Sequence, residues 1–291
     1  MILNFGSINL DLVYRVPHMP APGETLSASD YQRHLGGKGV NQSIAASHAG
    51  SKVRHIGCVG EDGAWVRDQM TGFGLSLEDI QTVSAPTGHA VICVDDAGEN
   101  QIIIASGANL EFTARQIETS LDQADPNTDW VICQNETNLV HELADMAASK
   151  GFKIAYSAAP FDAEHAIPML DKITLLAVNE GEAADLELAL DQDPRTLALP
   201  YLLITKGGDG AEVITPDKTY TQSSFPVTPV DTTGAGDTFL GAFVAELTQT
   251  EDPAAALRFA SAAAAIQVTR PGAAPAIPKR AEVLDFLKAN T

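Results

Sequence analysis

Apolar positions along this 291-residue chain fall into short runs rich in β-branched side chains, and these alternate with stretches of helical period. The runs at 2–5, 53–59, 130–133, 153–156, 173–178, 201–205 and 211–215 predict strands, most of them followed by a helix candidate. Helical spacing predicts helices over 40–48, 113–124, 139–150, 181–190 and 254–268, with Thr113 and Gln116 placed as a capping box. Phe239, Leu240, Phe243, Val244 and Leu247 predict one more helix from 239 onward. Strand and helix in alternation give an α/β fold with a doubly wound, mostly parallel sheet, whose ligands belong at the carboxyl ends of the strands.

Two segments break that rhythm. Residues 12–36 and 89–105, the latter turning at Asp95-Asp96-Ala97-Gly98-Glu99-Asn100, read as strands with little helical pattern between them. They are expected to pair into a small separate sheet, a lid over the site, rather than to extend the edge of the main sheet. The apolar run Ile102-Ile103-Ile104 would then need a cover, which a second copy of the chain supplies.

Composition narrows the function. With 45% hydrophobic residues the chain can bury one large α/β core. No run of about 18 apolar residues is long enough to span a bilayer. The first residues lack the basic and small-residue regions of a signal peptide, so a cytoplasmic protein without a membrane partner is expected. Cys58, Cys93 and Cys133 are far apart and form no Cys-x-x-Cys pair, which suggests buried thiols rather than disulfides or a zinc cage. The net charge of −20, from 18 Lys and Arg against 38 Asp and Glu, repels nucleic-acid phosphates. A nucleotide would have to be held against that field by helix N-termini, a few lysines and a divalent cation.

Chemistry concentrates where polar residues follow predicted strands or open helices. Gly234-Ala235-Gly236-Asp237 precedes the helix at 239, so free amides and the helix dipole would draw an anion, and a carboxylate beside them could take a proton from a hydroxyl. Asp237 as a plain N-cap is the alternative. Asn9 and Asp11, past the first strand, can face one way and hydrogen-bond vicinal sugar hydroxyls, or belong to a turn. Gly36-Gly37-Lys38-Gly39-Val40-Asn41-Gln42 fits neither a P-loop nor a dinucleotide fingerprint, and an NAD-dependent dehydrogenase is set aside for the same reason. It remains a close-approach loop with Lys38 and Asn41 reaching toward a ligand. Glu136 stands beyond the strand at 130–133, where sugar hydroxyls could meet it. Asn179 and Glu182 open the helix at 181 as oxygen donors suited to magnesium, with helix capping an adequate reading of Asn179. Thr205-Lys206-Gly207-Gly208-Asp209-Gly210 is a hairpin or a loop for nucleotide phosphates.

Taken in order, these motifs resemble the ribokinase family of sugar and nucleoside kinases, also called the phosphofructokinase B family. The resemblance spans nearly the full chain: residues 6–11, Pro22-Gly23-Glu24-Thr25, 36–42, 179–182, 231–239 and 262–273. It implies a three-layer core over 1–11, 37–86 and 106–291, with a β-sheet lid from 12–36 and 87–105 through which a homodimer forms. It implies Asp237 as general base and Gly234, Ala235 and Gly236 as the anion hole. Asn9, Asp11, Gly37, Lys38, Asn41 and Glu136 become the ribose contacts, and Asn179, Glu182, Thr205 and Gly207 the nucleotide contacts. Asn179 and Glu182 also position Mg2+, and Asp231 and Thr233 begin a monovalent-cation site for K+.

The expected activity is ATP-dependent phosphorylation of D-ribose to ribose 5-phosphate. Alternatives are a nucleoside or other sugar kinase of the same family and, more remotely, a non-catalytic sugar- or nucleotide-binding protein. Three positions depart from the family pattern: Ala276 replaces a serine near the cation, Tyr156-Ser157-Ala158-Ala159-Pro160 replaces Asn-Pro-Ala-Pro, and Thr137-Asn138 replaces Ser-Pro.

Overall fold

A computed structural model describes residues 1–290; Thr291, the last position of the expected core, lies outside the described residues. In chain order the strands are β1 (Ile2–Phe5), β2 (Asn9–Arg15), β3 (Asp30–Gly36), β4 (Val53–Gly60), β5 (Ile80–Val83), β6 (Gly88–Val94), β7 (Asn100–Ala105), β8 (Trp130–Gln134), β9 (Lys153–Ser157), β10 (Leu175–Asn179), β11 (Tyr201–Thr205), β12 (Ala211–Ile214) and β13 (Thr219–Gln222). The helices are α1 (Lys38–His48), α2 (Ala64–Gly72), α3 (Ala114–Asp122), α4 (Val140–Ser149), α5 (Ala163–Ala166), α6 (Glu180–Leu190), α7 (Ala235–Thr250), α8 (Pro253–Gln267) and α9 (Arg280–Ala289).

Nine strands form the main sheet in the order β13-β12-β11-β10-β9-β8-β1-β4-β5. The seven from β11 to β5 run parallel, and β12 and β13 close one edge antiparallel. Buried parallel strands can be apolar on both faces, and alternation decides which layer each residue joins. Ile2, Ile132, Leu175, Leu203 and Val213 pack under α7 and α8. Leu3, Phe5, Val131, Ile154, Leu176 and Val178 face the layer holding α3, α4 and α6. The chain leaves β1 toward β4 on one side and returns through β8 on the other, so a crevice opens between the carboxyl ends of β1 and β8.

A second sheet, β3-β2-β6-β7, stands apart from the first. Strand β2 pairs antiparallel with β3 and parallel with β6, and β7 completes the far edge with Ile102, Ile103 and Ile104 exposed at 51%, 66% and 55%. Its first strand starts at Asn9, three residues before the expected boundary at 12, so Asn9 and Asp11 ride on the small sheet.

All seven expected strands of the main sheet are present, with ends shifted by up to two residues. Strands β5 and β13 and helices α2, α5 and α9 lie outside the expected elements. Short α2 buries only Val66 and Met70, and edge strand β13 (Thr-Tyr-Thr-Gln) carries too little apolar signal. The capping box at Thr113 is half formed: Thr113 accepts from the Gln116 amide, but the Gln116 side chain turns inward to donate to the Gly57 carbonyl.

Helices α1 and α7 cross at close range because small residues line the contact. A Cβ at Gly241 would overlap the carbonyl of Gln42, and one at Gly39 would overlap the backbone of Gly6. Gly241→Ala should therefore destabilise the fold by about 1–3 kcal/mol, as overpacking does. Gly72→Ala, at the end of α2 with open space around it, should be neutral or stabilising by up to about 1 kcal/mol. Urea denaturation of both variants checks this, and equal midpoints would mean that the α1–α7 spacing is not constrained.

Candidate active site

The crevice at the sheet's carboxyl edge is built from loops that leave β1, β8, β10 and β11 and from the N-termini of α1 and α7. Helix α7 starts at Ala235, with Gly234 in the left-handed region at φ 73. The Ala235 amide donates to the Thr232 carbonyl and the Thr238 amide to the Gly234 carbonyl, which leaves the amides of Gly236 and Asp237 at the helix mouth, where an anion is attracted. Gln267 braces this loop from α8: its Nε2 donates to the Thr233 carbonyl at 2.9 Å, and its Oε1 bonds the Thr238 hydroxyl.

Asp237 sits in the first turn of α7 but caps nothing there. Its carboxylate faces α1, where Asn41 Nδ2 donates to Oδ2 at 3.2 Å and Gln42 Nε2 to Oδ1 at 3.1 Å. Burial pushes its carboxyl above the ordinary value, while Lys38 and the two amides pull it down and Glu136 pushes it up.

Glu136 is held across the crevice by the Ser7 hydroxyl and by the Lys38 backbone amide at 3.1 Å. Ser7 Oγ also accepts from the Gly39 amide, and the Ser7 carbonyl from Val40, so the loop after β1 stitches the start of α1 to the loop after β8. Gly37 precedes α1 at φ 97, with the Ser7 carbonyl 2.9 Å from where a Cβ would stand. Asn9 is buried and accepts from Asn109 Nδ2 at 2.7 Å, and Asn109 also bonds the Ile8 amide and carbonyl. Asp11 packs against Gly36, where a side chain would overlap its carboxylate.

Glu136, Asp237 and Glu182 thus converge on one cation, Lys38, and Asp11 stands beside Glu136 and Asp237. Burial, then Glu136 and Asp237, push the Asp11 carboxyl up to about 7. For Lys38, burial works against the charge, but Asp237, Glu136 and Glu182 outweigh it and hold the ammonium above its ordinary value. A donor-rich polyol suits such a nest of acceptors.

Beside it lies a cavity of about 180 Å³ lined by Lys38, Asn179, Glu182, Thr205, Gly234, Ala235, Gly236 and Asp237. Asn179 and Glu182 do not project freely into it, because they cap α6 reciprocally: Asn179 Oδ1 accepts from the Glu182 amide at 2.9 Å and Glu182 Oε2 from the Asn179 amide at 2.8 Å. The second Glu182 oxygen remains, and burial raises that carboxyl. Among the described residues no group of three or more His, Cys, Asp or Glu is placed to hold a metal ion.

A second cavity, of about 410 Å³, continues past Thr205 and Gly207 and is walled by Phe225, Pro226, Val227, Phe239, Ala264 and Val268. The 205–210 segment is both a hairpin between β11 and β12 and a wall of this cavity. Asp231 and Thr233 line neither cavity. Asp231 is pinned by the amides of Thr233 at 2.9 Å and Gly272 at 2.8 Å; burial opposes its charge, but these bonds and Arg15 keep its carboxyl below the ordinary value. Ala276 is buried and offers no side-chain oxygen.

Sequence reasoning missed Ser7, Gln42, Asn109, Gln134 and Gln267, and the apolar walls of the larger cavity. A polar residue at a buried helix position, as Gln42 is, was the available signal. The departures have structural reasons: Tyr156 donates to Asn135 Oδ1 at 2.6 Å, and Asn138 bonds both the amide and the carbonyl of Phe112 at 3.0 Å.

Comparison with known proteins gives a consistent match. The family described as pfkB family carbohydrate kinase matches residues 1–280. The chain is 39% identical to a ribokinase of Haemophilus influenzae and 35% identical to one of Bacillus subtilis, with 97% of each chain covered in both cases. It is also similar to the structure of Arabidopsis thaliana ribokinase complexed with ribose and ATP, at TM-score 0.87 and 29% identity, over 99% of this chain and 98% of that one. Among the described residues no helix is long and apolar enough to cross a membrane.

The Asp11 environment has a consequence for stability. Its carboxyl titrates near 7 when folded against an ordinary 3.8, so between those values the native state holds a proton that the unfolded chain has released. This group's contribution is therefore greatest below about pH 4 and is lost as the pH rises toward 7. Asp11→Asn should flatten that part of the stability profile, measured as urea midpoints of the ligand-free protein between about pH 4.5 and 7.5. An unchanged profile would show that Asp11 ionises normally.

Proposed function

Since this chain belongs to the pfkB family of carbohydrate kinases, we propose that it is an ATP-dependent ribose kinase, moving the γ-phosphoryl group of ATP to the primary hydroxyl of D-ribose to give ribose 5-phosphate and ADP. The observation that carries this reading is the Asp237 carboxylate, held by two amide donors between a nest of hydroxyl acceptors and an open helix N-terminus.

The sugar rests on Asn9, Asp11, Asn41 and Glu136, with the Gly37 backbone and Lys38 beside it. Asp237 takes the proton of the primary hydroxyl, and its carboxyl, raised by burial, suits it for that task near neutral pH. The freed oxygen attacks the γ-phosphorus as the bond to the β-phosphate oxygen breaks, and ADP leaves. Charge building on the moving group meets the open amides of Gly236 and Asp237 and the ammonium of Lys38, while Gly234 supplies the left-handed turn and the expected Ala235 donor is spent on the Thr232 carbonyl. The larger cavity takes the adenine ring against Phe225, Val227 and Phe239, with Thr205 and Gly207 at its polar mouth. No covalent nucleophile is needed, since positioning and charge stabilisation supply most of the acceleration.

Magnesium, when bound, neutralises the nucleotide phosphates. The free oxygen of Glu182 and the neighbouring Asn179 fit water-mediated contact with it better than direct ligation, given their commitment to the cap of α6. A monovalent cation such as potassium would be held near Asp231 and Thr233, each Asp231 oxygen having a lone pair beyond the one its amide uses, with no hydroxyl from Ala276.

We divide the chain into a core of 1–8, 37–86 and 106–291 and a lid of 9–36 and 87–105, moving the expected boundary at 12 back to the start of β2, and place a homodimer on the exposed Ile102–Ile104 edge of the lid. A cytoplasmic location follows from the need for ATP. Ile103→Glu should lower the sedimentation mass from dimer to monomer, and a monomeric wild type, or a variant that stays dimeric, rejects this interface.

A coupled ADP-release assay tests the activity. Ribose should turn over faster than deoxyribose, fructose, adenosine or inosine, and potassium should raise the rate in a millimolar titration. Asp237→Asn should keep nucleotide affinity and lose on the order of 100- to 10,000-fold in kcat. Turnover of a nucleoside without turnover of ribose overturns the substrate, and near-normal kcat in the variant overturns the role of Asp237.

A further inference from the structure

Behind Asp237 a chain of buried amides runs into the core, and none of its members reaches either cavity. Gln134, the last residue of β8, donates from Nε2 to Gln42 Oε1 at 2.8 Å and to Asn4 Oδ1 at 2.8 Å. Asn4, in β1, donates from Nδ2 to the Gly39 carbonyl at 2.7 Å and to Ser43 Oγ at 2.9 Å. Ser43 in turn bonds His55 Nδ1 at 2.8 Å. Asn4, Gln42, Ser43, His55 and Gln134 are all fully or almost fully buried. Polar groups so deep in an α/β core are costly unless each bond is made.

We propose that Gln134 and Asn4 are positioning residues for phosphoryl transfer, fixing which end of the Gln42 amide faces Asp237. This rests on the reading of Asp237 as the base and names what aims it.

The direction of every bond follows from one fixed acceptor. The Gly39 carbonyl can only accept, so Asn4 must present Nδ2 to it and Oδ1 to Gln134. Gln134 must then present Nε2, which serves Asn4 and Gln42 together. Gln42 is left with its oxygen toward Gln134 and its Nε2 toward Asp237. Gln134 Oε1 has no partner at all, although it is buried. That orphan is the telling feature: the reversed amide would set its oxygen against two other oxygens, so the chain tolerates one unmade bond, worth about 1–3 kcal/mol, to keep the polarity. Gly6 makes room for it, since a Cβ there would stand 2.6 Å from Gln134 Oε1.

Asp237 is faced by Lys38 and Asn41 from α1, by Glu136 from the loop after β8 and by Asp11 from β2. With three carboxylates and one ammonium in that space, a reversed Gln42 would bring a further oxygen onto the base. The proton would bind Asp237 more tightly, and the carboxylate would lose one of its two orienting bonds.

The test uses the full-length enzyme with ribose and ATP, following kcat against pH. Gln42→Met keeps side-chain length without an amide and should move the acidic limb up by roughly one unit, in line with the loss of a hydrogen bond to a charged group. Gln134→Met, which never meets substrate, should move it the same way by less, lowering kcat at pH 6.5 by roughly 3- to 10-fold with the ATP KM unchanged. Gln134→Met added to Gln42→Met should shift the limb no further, because Gln134 acts only through Gln42. A limb that stays in place in Gln134→Met, or additive shifts, overturns the proposal. If Gln134→Met does not fold by thermal melting, Asn4→Leu in its place and Gln42→Met decide on the same readout. If neither core variant folds, an unmoved limb in Gln42→Met alone overturns the proposal, and a raised one supports it. Loss of activity in Asp237→Asn with wild-type profiles here would reject this inference alone, whereas an active Asp237→Asn rejects the reading beneath it.

Discussion

The close crossing of α1 on α7 is the constraint on which the site depends. Only where glycine and alanine line that contact can the short side chains of Asn41 and Gln42 reach a carboxylate on the neighbouring helix. The same spacing sets the start of α1 against the loop after β1, so the ligand-facing backbone at Gly37 and the carboxylate at the mouth of α7 belong to one rigid unit. A glycine string in such a place has a mechanical meaning, since each missing Cβ removes a spacer between two backbones.

Charge is managed in the same economical way. A chain with 38 acidic side chains gathers three of them, Glu136, Asp237 and Glu182, around a single lysine at its crevice, an arrangement that costs stability in the absence of ligand. Burial and neighbouring carboxylates raise Asp11 and Asp237, so each takes up a proton more readily than an ordinary carboxylate does. Anion attraction is delegated to backbone amides at the N-terminus of α7, which carry no formal charge and so do not neutralise the nest beside them. A site that must hold a polyol and a polyanion side by side gains from that division.

Much of this was legible in the sequence. The apolar runs of β1, β8 and β10 announced a buried parallel sheet, and glycine loops ahead of α1 and α7 announced ligand contact. What the pattern could not reach were features set by partners distant in sequence. Asn179 and Glu182 look alike whether they cap a helix or face a ligand, and here the cap takes one side-chain oxygen of each. Strand β13 and helix α2 depend on tertiary neighbours more than on their own periodicity. Gln42 and Gln134 are ordinary polar letters in the chain, and only the register of β8 beside β1 under α1 makes them neighbours.

Asn109 bonds Ile8 and Asn9 where the small sheet joins the body of the protein. The strand bearing Asn9 and Asp11 belongs to the small sheet, so the two side chains keep their places at the crevice only while that sheet stays seated on the body, and any shift of the one would carry both contacts with it.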